Sequence, residues 1–400
     1  MARQPSRLAL VFSCIGHGYM HMFAVYFYLV VLPLERDWGL PYSDLIALWT
    51  VGSLLIGALA LPAGWIADRW SATGMMLIFF VGIGAASILC GLAAGPRSLW
   101  AGLCLLGAFA SIYHPVGLPW LVRTASSRGK ALGINGIFGS VGVAAAGLVA
   151  GTLIDLFGWR TAFVVPGVVS VATGAAMWTA VRAGLVTDGE AGARADEAPD
   201  TPSERRRAFA VLLVTMFGGA VIYQATQAAL PKLFALRLGA LVGGGAFGVG
   251  ALVAVAYGIA GLTQIAAGHL ADRYALKRVY AAAILSQAPL LWLASTAGGL
   301  PLVPLATGLI VANTASLPAE NLLLARAAPT ERQSLAFGVK FVLSFGAAPI
   351  GIWLVAFVTE RTGGFAWVFF ALTSVAVVIG AAALALPSTS SLRPESRRAS

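Results

Sequence analysis

Charge is scarce in this sequence. Asp, Glu, Lys and Arg together make up 10% of its 400 residues, where soluble proteins carry roughly 25%. A chain this short of charge does not read as a water-soluble domain. Acid is scarcer than base: 16 Asp and Glu stand against 26 Lys and Arg, for a formal net charge of +10. Cysteine is nearly missing too. Cys14, Cys90 and Cys104 each sit inside an apolar run. They make no disulfide framework and match no metal spacing, so they are read as small core residues. There is no nucleotide-binding loop, no nucleophile–base–acid set and no metal-ligand cluster in the sequence, so nothing points to an enzyme or a cofactor.

What the chain has in excess is apolar surface: 59% of residues are hydrophobic, and the mean hydropathy is +0.85. Runs of about 20 apolar residues, each able to cross ~30 Å of hydrocarbon as a helix, recur throughout. They fall near 8–32, 43–67, 74–94, 99–122, 131–155 and 159–181, then near 208–232, 246–271, 279–297, 301–325, 334–358 and 364–386. The expectation is an all-α membrane protein of twelve transmembrane helices, referred to below as spans 1 to 12. Residues 1–181 form one six-helix bundle and 208–386 a second. Residues 182–207 are a cytoplasmic linker, and 387–400 a cytoplasmic tail. The linker carries Asp188, Glu190, Asp196, Glu197 and Asp200 ahead of Arg205-Arg206-Arg207 and is expected to be mobile. Arg393, Arg397 and Arg398 lie in the tail. Arg3 and Arg7 before the first run resemble the start of a signal peptide. That run is too long for one, and no small-x-small cleavage site follows, so it is read as span 1.

Lys and Arg gather in alternate loops. That pattern explains the basic charge without nucleic acid, and it orients both termini into the cytoplasm of an inner-membrane protein.

The most specific stretch is Gly64-Trp-Ile-Ala-Asp68-Arg69-Trp-Ser-Ala-Thr73, between spans 2 and 3. It returns between spans 8 and 9 as Gly268-His-Leu-Ala-Asp272-Arg273-Tyr-Ala-Leu-Lys277-Arg278. A loop repeated at the same place in two halves marks a duplicated transporter. Other echoes support the duplication. Phe157-Gly-Trp159 matches Phe365-Ala-Trp367, and Gly133-Ile-Asn135 aligns with Gly338-Val-Lys340.

On these residues the chain resembles the major facilitator superfamily, whose loop signature after the second helix of each half is Gly-x-(Leu/Ile)-Ala-Asp-Arg. The family pattern continues with Gly and two basic residues. Ser71, Ala72 and Thr73 replace that end in the first copy, while the second keeps Lys277 and Arg278. The resemblance implies that Asp68 and Asp272, with Gly64, Arg69, Gly268 and Arg273, form gating loops at the cytoplasmic face. Arg123 and Arg326 are candidate partners, and a plain turn cap is the alternative. It also implies that helices 1, 4, 7 and 10 line a central cavity. Aromatic-His-Pro at Tyr113-His114-Pro115 is similar to the fosmidomycin-resistance-like branch, though Val116-Gly117 stand where those relatives favour an acid.

Ionisable groups inside a span are costly, by ~2.5–3.5 kcal/mol on insertion scales, and point to function by default. Glu320 in span 10 and Lys340 in span 11 are expected at one depth as an ion pair. That pair is either a coupling or substrate site or a structural brace, with Lys340 snorkelling to the headgroups as a further option. Asn313, Ser316 and Glu320 share a helical face, and Asn321 lies off it. Asp44 and Asp155, at span ends, are read as caps or loop contacts. His17 and His21 form an i, i+4 pair in span 1, on one face with Ser13 and Tyr28. No neighbouring acid or cysteine completes a metal site, so cavity lining is the preferred reading, and proton movement through either ring is a further option. Pro115 is expected to kink span 4, with His114 either functional or bonding the freed backbone. Tyr223, Gln224 and Gln227 in span 7 are uncharged hydrogen-bonding groups that suit a sugar, a carboxylate or a drug-like ligand equally. Lys232 and Arg237 attract anions or are loop charges. Glycines 133, 136, 139, 142, 147 and 151 open span 5 to close packing.

These readings converge on a monomeric secondary transporter in the lipid bilayer. It would move a small organic molecule by alternating access, exporting it in exchange for protons. Uptake or uniport of an organic anion, and a transporter-like sensor or scaffold without flux, are the alternatives.

Overall fold

The computed structural model describes residues 7–124, 128–188, 202–327 and 333–387. Among them are twelve helices long and apolar enough to cross a membrane: α1 Leu8–Trp38, α2 Tyr42–Arg69, α3 Ala72–Gly91, α4 Pro96–Thr124, α5 Ile134–Phe157 and α6 Trp159–Arg182, then α7 Ser203–Val242, α8 Ala246–Arg273, α9 Leu276–Thr296, α10 Leu302–Ala327, α11 Ala336–Thr362 and α12 Ala366–Leu384. The described residues contain no β-strand.

Local chemistry sets the ends of these helices. Pro96 opens α4 at a position where its missing N–H costs nothing, and Ser98 Oγ accepts from the amides of Ala94 and Gly95. Gly39 ends α1 and Gly363 ends α11, both in the left-handed conformation at φ 63° and 69°.

Two helices outrun their apolar cores. α1 continues past Pro33 through Glu35-Arg36-Asp37, where the hydropathy signal stops near 32. The helix starting at Pro202 carries Arg205, Arg206 and Arg207 as its first turns and passes Pro231. Hydropathy marks the stretch that lipid surrounds, whereas backbone hydrogen bonds carry a helix on into water. The polar connection between halves is accordingly shorter than 182–207. Its residues 189–201, with Glu190, Asp196, Glu197 and Asp200, lie outside the described residues, as do Arg3 and the tail from 388 with Arg393, Arg397 and Arg398.

The two halves pack by one plan. In the first, α1 lies on α5, α2 on α4, and α3 on both α4 and α6; in the second, α7 lies on α11, α8 on α10, and α9 on both α10 and α12. The contacts between halves obey the same symmetry, α5 against α8 and α2 against α11. The α5–α8 seam is tight because it is made of glycine. A Cβ on Gly147 would strike the Gly250 carbonyl, and one on Gly151 would come within 2.7 Å of Phe247 Cα. In lipid, where burial of apolar surface no longer drives association, such close backbone packing is what holds helices together.

Outward faces carry Leu262, Ile265, Trp353, Val377 and Val378, as a lipid-facing surface requires. Arg69 stacks over Trp65 at 4.2 Å and Arg160 over Trp159 at 4.3 Å, pairings suited to the membrane–water boundary.

Contacts across the halves differ at the two ends. At the end bearing Lys232, Glu35 pairs with Lys232, and the Tyr42 hydroxyl donates to the Ala228 carbonyl at 3.1 Å. Asp155 accepts from the amides of Ala246 and Phe247 at 2.9 and 2.7 Å. A carboxylate from one half thus caps a helix of the other, neutralising exposed N–H groups and the positive end of the α8 dipole. Farther toward the Asp68 end, Gln264 donates to Ser140 Oγ at 2.9 Å.

Candidate functional site

Among the described residues, each half holds a buried polar cluster. In the second half, Glu320 of α10 and Lys340 of α11 meet at 2.7 Å, with side chains only 7% and 8% exposed. Lys340 also donates to Asn321 Oδ1 at 2.5 Å. The Tyr280 hydroxyl of α9 lies 3.1 Å from the second Glu320 oxygen and 2.8 Å from Thr215 Oγ1 of α7. Four helices therefore converge on one carboxylate–ammonium pair. Asn321, off the Glu320 stripe by helical spacing, reaches the same ammonium because Lys340 lies between adjacent helices. Tyr280 escaped the sequence reading; its only signal was a tyrosine one turn past Lys277-Arg278 in an otherwise apolar run.

In the first half, Asn135 of α5 is the hub. Its amide donates to Ser13 Oγ at 3.1 Å and to the Tyr113 hydroxyl at 2.8 Å. Tyr113 also reaches the Ser13 carbonyl at 2.8 Å. Asn135 ends the Gly133-Ile-Asn135 echo of Gly338-Val-Lys340, so the hub is neutral in one half and charged in the other. In each half, a tyrosine hydroxyl is tied to a hydroxyl residue on that half's first helix.

Next to Asn135 lie three histidines. His17 and His21 of α1 stand one turn apart with ring centroids 4.9 Å apart, and His114 of α4 is 5.3 and 5.4 Å from them. The chain places His114 here through Pro115. Proline cannot donate to the helix ladder, and Tyr113–Gly117 takes a π-helical turn. Neither His114 nitrogen bonds the backbone that this frees. Phe341 and Phe345 of α11 close over the His114 ring at centroid distances of 5.0 and 4.9 Å. α11 thus carries the ammonium of one cluster and the aromatic wall of the other.

Other expected site residues spread along the interior. Asn313 donates to the Gly219 carbonyl and to Gln287 Oε1, both at 3.1 Å. Ser316 spends its hydroxyl on the Asn313 carbonyl. Gln224 donates to the Ser344 carbonyl of α11 at 3.3 Å, and Gln227 to the Tyr223 hydroxyl at 3.2 Å. Gln227 lines a cavity of ≈ 20 Å³ shared by both halves, with Tyr28, Val143, Gly147, Gly250 and Tyr257. Sites for organic ligands run to about 300–1,000 Å³, so this cavity is too small to hold one.

Lys232 is used by Glu35, as described. Arg237 donates to the carbonyls of Ala294, Ser295 and Ala297, where α9 ends and its carbonyls lack helical partners. Cys14 and Cys90 are buried thiols and Cys104 is half-buried.

The repeated motifs are not loops: residues 64–69 and 268–273 are the last turns of α2 and α8, because the helical backbone runs on past the apolar core, and Asp68, Arg69, Asp272 and Arg273 are exposed there. Neither aspartate joins an ion pair among the described residues. Gly64 packs on the π-turn, where a Cβ would come within 3.2 Å of Pro115 Cβ. Arg326 is in the last turn of α10. Arg123 donates to the Asp188 carbonyl at 3.4 Å. The Asp188 side chain accepts from Ser71 Oγ at 3.0 Å and the Thr73 amide at 2.6 Å. The chain after α6 thus folds back to cap α3, where Ser71 and Thr73 replace the family's Gly and basic residues. A hydroxyl and an open helix N-terminus receive an acid that two basic side chains would have engaged differently.

Twelve apolar helices, two halves of one plan and buried polar clusters beside their seam define a multi-pass membrane protein of the kind that carries solutes. The profile of the Major Facilitator Superfamily matches residues 18–261, and the chain belongs to that family. It is similar to the puromycin resistance protein pur8 of Streptomyces alboniger, at 33% identity over 33% of this chain and 27% of the relative. It is also similar to a probable actinorhodin transporter of Streptomyces coelicolor, at 33% identity over 32% of this chain and 24% of the relative. The matched stretch spans about a quarter of the length of each of these relatives. The fold matches that of a POT family transporter in complex with a thioalcohol-conjugated peptide, with TM-score 0.77 and 15% identity over 94% of both chains.

Proposed function

We propose that this protein is a secondary active transporter that exports a small organic compound across the cytoplasmic membrane in exchange for protons. The observation that carries this reading is the buried Glu320–Lys340 pair. Taking two charges out of water and pairing them gains little stability over an apolar pair of the same volume, so stability alone is a poor reason for the pair and use is the better one. A proton or a charged substrate group that takes one partner releases the other. The free energy of that exchange is what an alternating-access carrier needs to favour one state over the other. Tyr280 and Asn321 hold the pair's remaining hydrogen-bonding capacity while it is open. The names of the two Streptomyces relatives support export of an antibiotic-like organic molecule.

Alternating access also accounts for the small cavity: an organic substrate enters only when the halves part. Closure at the Lys232 end rests on Glu35, Tyr42 and Asp155. With the basic loops inside, that end faces away from the cytoplasm. We assign Asp68 and Asp272, exposed here, to closing the opposite end in the other state.

The test is proton flux in proteoliposomes with an internal pH dye and a compound panel that includes puromycin, for wild type and Glu320→Gln. Compound-dependent proton movement in wild type and not in the variant is expected. Transport with no pH signal in either protein overturns the coupling, and no transport of any compound overturns the carrier reading in favour of a sensor.

A further inference from the structure

We propose that His17, His21 and His114 form a binding site for a divalent transition-metal ion of the zinc class. One ligand nitrogen from each ring lies within 4.8 Å of the other two. Three imidazoles on tetrahedral zinc, at metal–nitrogen distances of ~2.0–2.1 Å, stand about 3.3 Å apart.

Three further observations favour a ligand here. His17 Nδ1 is 2.7 Å from the Asn135 carbonyl, a bond that places the proton on Nδ1 and leaves the Nε2 lone pair free. Such a carbonyl-held imidazole is how proteins orient a metal-binding histidine. Gly139 keeps the space beside that nitrogen open: a Cβ there would stand 2.9 Å from His17 Nε2. His114 is only 7% exposed, yet both its nitrogens are without a hydrogen-bond partner. A buried polar ring with nothing to bond is rare in a finished interior, and a bound ion is one of the few groups that would satisfy it.

The donor chemistry sets the ion's class. Neutral imidazoles suit zinc, cobalt, nickel and copper; magnesium and calcium take oxygen ligands. The site lies within one half, joining α1 to α4 under the Phe341–Phe345 wall. A bound ion therefore braces the first half while α11 remains free to shift over it. The helical pair His17–His21 alone is an incomplete site. Its third donor comes from α4, which is why neighbouring residues in the sequence offered no acid or cysteine to complete it.

The experiment uses the full chain, purified with its affinity tag removed and stripped with a chelator. Cobalt(II) is added and its visible bands recorded, and zinc affinity is then measured against a chromophoric chelator. Wild type is expected to bind one ion per chain with the intense bands of tetrahedral cobalt. His17→Ala, His21→Ala and His114→Ala each weaken binding on the order of 100-fold. Gly139→Val, which keeps all three donors and fills the space, weakens it as well. His269→Ala, changing an exposed histidine on α8, leaves it intact. Pale octahedral cobalt bands, no stoichiometric binding by wild type, or full affinity in a monodisperse His114→Ala protein overturns the proposal. If the histidine variants fail to fold, the wild-type cobalt spectrum decides alone.

Discussion

Replacing Glu320 with glutamine isolates the charge from the shape of the buried pair. The glutamine keeps the carboxylate's outline; with its carbonyl toward the Lys340 ammonium, its amide N–H donates to the Tyr280 hydroxyl oxygen, a bond worth about 1 kcal/mol. What goes is the negative charge 2.7 Å from Lys340 Nζ. The ammonium is then buried against neutral oxygens only, Asn321 Oδ1 and the glutamine carbonyl. Breaking a buried pair from one side costs about 3–5 kcal/mol. With Tyr280 still bonded, the low end, ~3 kcal/mol, is expected. Glu320→Gln with Lys340→Met removes both charges, and such neutral replacements commonly cost little or even stabilise. The double variant is therefore expected to recover most of the loss. Unfolding is followed by thermal denaturation in one detergent at one scan rate, because large membrane proteins unfold under kinetic control. The reasoning is refuted if the single variant matches wild type, or if the double is no more stable than the single.

Asp155→Ala strips the acid cap from α8 and is expected to weaken closure at the Lys232 end by ~1–2 kcal/mol, a shift of roughly 5- to 30-fold; thiol labelling of a cysteine at position 228 would rise accordingly. Gly147→Val sets a side chain against the Gly250 carbonyl and should destabilise the α5–α8 seam by about 1–3 kcal/mol, read as earlier thermal unfolding, with Gly136→Val, in open space, as the tolerated control. For Glu35 and Lys232, partly exposed at 22% and 19%, a double-mutant cycle should give a coupling of about 1 kcal/mol or less that shrinks with salt. Asp188→Ala removes the acid that holds Ser71 Oγ and the Thr73 amide, and faster hydrogen exchange at the start of α3 is the expected sign.

Much of this protein is written in one dimension. Twelve spans follow from apolar run length alone, since lipid admits only helices whose backbone bonds close internally. The duplication is visible in Asp68 and Asp272, and the partnership of Glu320 with Lys340 follows from the cost of charge in a span and the short loop between their helices. These inferences rest on local composition and on spacing along one helix or between neighbours. Other features depend on which helices touch. Nothing near Tyr280 tells that it crosses from α9 to Glu320. Nothing near Asp188 tells that it returns to cap α3, and Asp155 looks like a span end until α8 of the other half docks on it. The histidines show the limit most plainly: His17 and His21 are a pair by helical period, but His114 joins them only through the packing of α4, at its π-turn over Tyr113–Gly117, against α1. Sequence patterns record what each helix needs from lipid and water. Contacts between distant helices come from side chains fitting together once the bundle has formed, and only the tertiary structure decides them.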